Sequence, residues 1–234
     1  MSARRVAFFD VDETILQTKT MIAFWQYWQI HRPDLGPRDS RDPSLAELLA
    51  LPREEANRGY YRLFRGVPSA ELAEAGRRWY EEYRRGESVV VIAALNALRR
   101  HQRCGDAVVL VSGSLRACLE PVAEELGVDL LLCTEQEQTA AGVFTGELLR
   151  PMIGPAKAAA VTAAMAALRV DPRDCFAYGD HASDLGMLEA VGHPVVVGGD
   201  SVLLAAARAG RVGRWRLLPS TGGPLGVRRE EIAA

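Results

Sequence analysis

Apolar and polar positions alternate between two rhythms along the chain. Val6 to Phe9 is a continuous apolar run, the pattern of a strand buried on both faces. From residue 14 to about 30 the spacing becomes helical, with Ile15, Leu16, Met21, Ile22, Phe24, Trp25 and Trp28 as the apolar set. His31-Arg32-Pro33 and Gly36-Pro37 break that helix. Residues 38 to 100 hold no convincing strand. Leu45, Leu48 and Leu49 share a helical stripe, and Pro52 ends it or opens the next helix. Tyr60, Tyr61, Leu63 and Phe64 lead to a break at Gly66-Val67-Pro68. Ser69 is placed as the N-cap of a helix over 70–85. This aromatic-rich helical block reads as an insertion that partly covers the tip of the first strand.

From residue 88 the rhythm is regular. Helix 89–101, strand 107–111, helix 115–126 ended by Gly127, and strand 130–133 follow in turn. Residues 139–148 suggest a hairpin. Pro155 opens helix 156–168 in the first-turn position that proline tolerates. Strand 175–178, helix 183–190, strand 194–197 and helix 203–208 complete the series. Strands alternating with helices predict an α/β fold with a mostly parallel sheet and right-handed crossovers. Residues 1–16 and 88–218 are read as the core, 17–87 as the helical insertion, and 219–234 as a loosely held Gly/Pro-rich and then charged tail.

Composition narrows the class. With 234 residues and 48% hydrophobic content the chain can build a full core. A net charge of −2 gives no general case for nucleic acid or an anionic membrane as partner. Cys104, Cys118, Cys133 and Cys175 form neither a CxxC pair nor a zinc pattern and read as buried free thiols. The N-terminus leads straight into a strand, and no apolar run reaches the ~18 residues of a membrane span. A cytoplasmic location follows as the expectation. Nothing in the sequence speaks to oligomeric state.

The chemistry sits where apolar runs stop. Asp10 and Asp12 follow the first strand, Ser112-Gly113-Ser114 the strand at 107–111, and Gly179-Asp180 the strand at 175–178. In a parallel sheet those ends share one edge, where ligands gather. Asp10 is the candidate nucleophile, since a carboxylate attacking phosphorus splits one hard displacement into two easier ones. Positive charge must offset the approach of a phosphate dianion. Mg²⁺ held by Asp10 and Asp180 would supply it through oxygen ligands, with Asp184 binding it through water or holding another ligand, and Lys157 would add an ammonium. Asp12 suits general acid–base work. Ser112 and the amide of Gly113, where a Ser-Gly-Ser turn is expected to open a helix, would bind phosphoryl oxygens together with Thr14.

Asp10-Val-Asp12-Glu-Thr14, Ser112, Lys157 and Gly179-Asp180-x-x-x-Asp184 together resemble the four motifs of the haloacid dehalogenase superfamily of Mg²⁺-dependent phosphohydrolases. The resemblance implies a Rossmann-like core with helices on both faces and a helical C1-type cap. It also implies that the main-chain carbonyl of Asp12 joins the metal shell. The insertion resembles the cap of the phosphoserine-phosphatase-like branch, subfamily IB. That branch has a glutamate some nine residues after the nucleophile to meet an amino group, whereas Lys19 stands there in this chain. A lysine repels an ammonium and favours an anionic or neutral substrate. Arg65 is matched with the cap arginine that binds a carboxylate. His181 is given no metal role, and the insertion's aromatics are expected to pack rather than line a pocket. The expected activity is hydrolysis of a small-molecule phosphate ester. A phosphotransferase or mutase using the same aspartyl-phosphate, or a phospho-accepting signalling module, are the alternatives.

Overall fold

The computed structural model describes residues 5–32, 44–210 and 215–225. Among these the chain runs β1 (Val6–Phe9), α1 (Thr20–His31), α2 (Leu45–Leu49), α3 (Arg53–Arg62), α4 (Ser69–Tyr83), β2 (Val90–Val91), α5 (Ile92–Arg103), β3 (Ala107–Leu115) and α6 (Arg116–Leu126). It continues through β4 (Leu130–Gln138), β5 (Phe144–Arg150), α7 (Pro155–Leu168), β6 (Phe176–Gly179), α8 (Leu185–Glu189), β7 (His193–Val197), α9 (Ser201–Ala209), β8 (Arg216–Leu218) and β9 (Gly222–Gly223). Among the described residues, seven strands form one sheet in the order β5-β4-β3-β1-β6-β7-β8. Its pairings are parallel except β4 with β5. The fold is therefore α/β, as the alternating pattern predicts.

β1 lies between β3 and β6, so its side chains are buried on both faces. Val6 and Phe8 join Val109, Val111, Val161 and Met165 in one apolar cluster. Ala7 and Phe9 belong to the other. That second cluster extends without a break into α1, α3 and α4, taking in Trp25, Trp28, Tyr60, Phe64 and Trp79. The insertion's aromatics thus pack into a core shared with the sheet.

The insertion is also tied to the sheet by polar contacts. Gly76 on α4 lies so close to α6 that an added Cβ would sit 2.0 Å from the Ala117 carbonyl oxygen. Tyr80 and Arg84 both donate to Glu125 of α6. Residues 66–69 run beside the β4–β5 hairpin, with Gly66 N donating to Phe144 O at 2.8 Å and Ser69 N to Gly142 O at 2.8 Å.

Several boundaries depart from the sequence pattern. The first helix starts at Thr20 rather than at residue 14, because the Ile15 and Leu16 amides both turn back to Val11 O at 2.9 Å. Ser69 is the first helical residue and makes no side-chain cap. Ser112-Gly113-Ser114 is not a turn: β3 stays extended to Leu115, with a register shift against β4. The helix expected over 183–190 is a single tight turn, Ala182–Asp184, followed by α8.

Residues 219–225 are held rather than loose. β9 pairs with β2, and Val89 N donates to Gly223 O at 2.8 Å. The tail's glycines permit this close approach, since a Cβ on Gly222 would sit 2.2 Å from Ser88 Oγ. Residues 226–234, and the breaks read at Pro33, Gly36 and Pro37, lie outside the described residues. Cys104 is exposed, against the expectation of burial, whereas Cys118, Cys133 and Cys175 are buried. Among the described residues no helix is long and apolar enough to cross a membrane.

Candidate active site

The loop after β1 carries the first two carboxylates. Glu13 adopts a left-handed backbone (φ 59°), a conformation uncommon outside glycine. Its amide closes the loop onto Thr18 O at 3.2 Å. Asp10 stands at the tip of β1, buried, with its amide bonded to Tyr178 O of β6.

Lys157, in the first turn of α7, reaches Asp10 from the other side. Its Nζ lies 2.5 Å from Asp10 Oδ1 and 2.6 Å from Asp184 Oδ1. Burial works against the Lys157 ammonium, but Asp10 and Asp184 outweigh it and hold it protonated above the ordinary lysine range. Burial pushes the Asp10 carboxyl well up, against the pull of Lys157. Asp180 is pushed up to about 6 by burial and by Asp184 beside it.

Asp184 reaches this position because residue 179 is glycine. A Cβ there would sit 2.7 Å from Asp184 Cβ. Asp10, Asp180 and Asp184 each offer a ligand atom, and these atoms lie within 4.8 Å of one another. All the donors are carboxylate oxygens, the set a hard cation takes. Three carboxylates against one ammonium leave an excess of negative charge that a divalent cation would cancel. The residues therefore fit Mg²⁺.

Asp12 faces a different group. Its Oδ1 lies 2.7 Å from Thr20 Oγ1, Thr20 Oγ1 lies 2.6 Å from Ser114 Oγ, and Ser114 Oγ lies 3.0 Å from Asp12 Oδ2. This triangle has three edges and only two hydroxyl hydrogens. A proton on Asp12 supplies the third, so the arrangement suits the acid form. Burial raises the Asp12 carboxyl in the same direction, while the Thr20 and Ser114 bonds oppose it.

Ser112 and Gly113 line a cavity of about 250 Å³ with Asp10, Asp12 and Lys157. The Gly113 carbonyl accepts from Asn57 Nδ2 at 3.0 Å, Tyr61 OH at 2.8 Å and Thr134 Oγ1 at 3.1 Å. Two of those donors come from α3, so the insertion itself fixes the peptide beside the cavity.

Residues 7–189 match the haloacid dehalogenase-like hydrolase family. The chain belongs to that family. It is 31% identical over 212 residues to the inhibition of morphological differentiation protein of Streptomyces azureus, covering 88% of this chain and 76% of that one. It is 30% identical to a probable phosphatase of Mycobacterium tuberculosis, covering 85% of this chain and 70% of that one. The fold is similar to a solved phospho-aspartyl intermediate analogue of phosphoserine phosphatase, with a TM-score of 0.64 and 16% identity over 95% of this chain and 96% of that one.

In this hydrolase the tertiary structure brings Asp10, Asp12, Ser112, Gly113 and Lys157 to one cavity, with Asp180 and Asp184 alongside. Lys19 also lines that cavity, half-exposed and 3.3 Å from Glu13. Two of the expected substrate residues stand off the cavity lining. Thr14 is fully buried and donates to Asp180 Oδ1 at 3.0 Å, which orients that carboxylate. Arg65 is absent from the cavity lining and donates to Thr145 O of β5 at 3.1 Å, so it braces the hairpin. Sequence reasoning missed Thr20, Ser114, Asn57 and the leucines of α2. Ser114 was legible as the second serine of Ser-Gly-Ser. The others gave no local signal, because their partners lie far away in the chain.

Proposed function

We propose that this hydrolase is a Mg²⁺-dependent phosphomonoester phosphatase, acting on a small organic phosphate through an aspartyl-phosphate at Asp10. The observation that carries the reading is the Lys157 ammonium bonded to Asp10 and Asp184, beside Asp180, at a cavity that also holds Ser112 and Asp12. An Asp10 oxygen attacks phosphorus, and the ester P–O bond breaks with its electron pair on the leaving oxygen. Asp12 gives that oxygen its proton. Asp12 then takes a proton from water, whose oxygen attacks phosphorus and returns Asp10 as a carboxylate. Lys157 offsets charge on the nucleophile and the transferring group, and Ser112 and Gly113 hold phosphoryl oxygens. Mg²⁺ held by Asp10, Asp180, Asp184 and the Asp12 carbonyl would neutralise charge on the phosphoryl group. The same reading makes the protein a cytoplasmic enzyme of the phosphoserine-phosphatase-like branch, subfamily IB, with residues 17–87 as its cap.

Release of inorganic phosphate from a panel of phosphate esters tests this directly. Turnover should need Mg²⁺ and vanish in Asp10→Asn, whereas Asp12→Asn should slow both half-reactions by about 10²–10⁴-fold. Full activity in Asp10→Asn removes the nucleophile and with it the proposal.

A further inference from the structure

The cavity over Asp10 has a polar floor and an apolar wall. Asp10, Ser112 and Lys157, all buried, make the floor. The wall is Met21 and Ile22 of α1, Leu45 and Leu49 of α2, Leu51 and Ile153. Leu45 and Leu49 stand four residues apart and so share a face of α2. That helix is fixed in two ways. Ser44 and Glu47 close its N-terminus in a reciprocal capping box. Leu48 seats against α3, where a Cβ added to Gly59 would meet its Cδ2 at 2.3 Å. The wall is therefore built before a ligand arrives, yet Leu49 and Leu51 are 53% and 43% exposed. Adjoining apolar side chains left in water above the proposed nucleophile mark a surface that a ligand covers.

The polar groups that the insertion brings to this lining are engaged elsewhere. Among the described residues these are Lys19, Arg53, Asn57 and Tyr60. Lys19 Nζ lies 3.3 Å from Glu13. Asn57 Nδ2 donates to Gly113 O at 3.0 Å, and its Oδ1 is buried out of reach of a ligand. Tyr60 OH donates to Met21 O at 2.7 Å. Arg53 also lines a neighbouring cavity, which puts it at the border between the two rather than in the wall. A charged or hydrogen-bonding substituent laid along the wall would lose water and gain no partner, which costs free energy. An apolar one gains by leaving water.

Resting on the phosphatase reading, we propose that the substrate is the phosphate monoester of an uncharged aliphatic alcohol, whose chain lies along the wall of Leu45, Leu49 and Leu51. The phosphoryl group meets Asp10, Ser112 and Lys157 at the floor, and the carbon chain runs outward under the leucines. Leu49 and Leu51 are then specificity-determining residues: they select the alcohol by burying it, and take no part in the chemistry.

The test measures kcat/KM for ethyl, butyl and hexyl phosphate against 4-aminobutyl phosphate, 3-carboxypropyl phosphate and O-phosphoserine. In the alkyl series kcat/KM should rise about two- to fourfold per added methylene until the cavity is filled. Butyl phosphate should lead each charged ester by about tenfold or more. Leu49→Ala and Leu51→Ala should each flatten the chain-length series, whereas Ile30→Ala, at an exposed position off the cavity lining, should leave its slope unchanged. A merely structural role would lower every ester alike and keep the slope. Calorimetric titration with ethyl-, butyl- and hexylphosphonate reads the same slope as affinity, without turnover. Phosphate release with a flat alkyl series, with a charged ester preferred, or with a slope unchanged in both leucine variants overturns this inference and leaves the phosphatase reading standing. No release from any ester, with phosphonate affinity still rising with chain length, overturns the phosphatase reading and leaves the apolar wall as a binding site. Neither release nor rising affinity overturns both.

Discussion

Replacing Lys157 with methionine isolates the charge balance of the site. The lysine side chain is 4% exposed, and its ammonium lies 2.5 Å from Asp10 and 2.6 Å from Asp184. Methionine keeps much of the volume and removes the charge. Without metal, Asp10, Asp180 and Asp184 then crowd together with no buried cation among them. Breaking a buried pair in this way costs about 3–5 kcal/mol. Proton uptake sets a ceiling of similar size. Protonating one carboxylate of ordinary pKa ~3.9 at pH 7.5 costs about 5 kcal/mol. For a domain of this size each kcal/mol shifts Tm by roughly 2–4 °C, so Tm should fall by about 6–20 °C. In the variant the folded carboxylates have pKa values raised above their unfolded ones, so folding takes up protons and is favoured as pH falls. The gap to wild type should narrow from pH 7.5 to 5.5, by at most about 1.4 kcal/mol per pH unit. Circular-dichroism melts in EDTA at pH 7.5, 6.5 and 5.5 measure it. A Tm within about 3 °C of wild type at pH 7.5, or a gap that does not narrow, refutes the reasoning.

Gly179→Ala should push Asp184 off Lys157, since the new Cβ meets Asp184 Cβ at 2.7 Å. A cost of about 1–3 kcal/mol should appear as weaker Mg²⁺ binding in calorimetric titration, together with slower turnover. Thr20→Val breaks the triangle around Asp12 and should slow both formation and hydrolysis of the phospho-enzyme, by less than the ~10²–10⁴-fold of the full acid–base contribution, in rapid-quench assays. Gly76→Ala sets a Cβ against the Ala117 carbonyl and should lower stability by about 1–3 kcal/mol in urea titrations. Away from the site, His101 Nδ1 contacts Asp106 at 2.7 Å and Nε2 contacts Tyr178 OH at 2.9 Å. Burial lowers the His101 pKa, so the folded protein resists its protonation and stability should fall as pH drops below the unfolded value of ~6.5. Urea midpoints at pH 7.5 and 5.5 isolate this contribution as a difference: from the higher to the lower pH, wild type should lose stability relative to His101→Gln, and an unchanged difference refutes it.

Most of the parallel core was legible because β1, β3, β4, β6 and β7 each contain a short apolar run whose meaning does not depend on neighbours, whereas β8 (Arg216–Leu218) is mostly exposed and gave no such run. The gathering of the candidate site was legible for a related reason. Asp10, Ser112 and Asp180 each end such a run, and a parallel sheet forces those ends to one edge. Pro155 likewise announced the helix that delivers Lys157. Where local signals were ambiguous, the sequence misled. The glycines at 222 and 223 suggested looseness, yet they allow a strand to approach β2 closely. Ser-Gly-Ser suggested a turn, yet the Gly113 carbonyl is taken by donors from α3 and β4, and the chain stays extended.

By itself, then, the sequence determined the layered core, the sheet edge at which the candidate site lies, and the carboxylates and lysine that gather there. Periodicity and strand ends are properties of adjacent residues. Only the tertiary structure decided that Thr14 serves Asp180, that Arg65 braces a hairpin, that Thr20 and Ser114 close around Asp12, and that Asn57 bonds the Gly113 carbonyl beside the cavity. Each of those roles belongs to a pair of atoms brought together by packing between the insertion and the sheet, and no spacing along one chain encodes which distant atoms will meet.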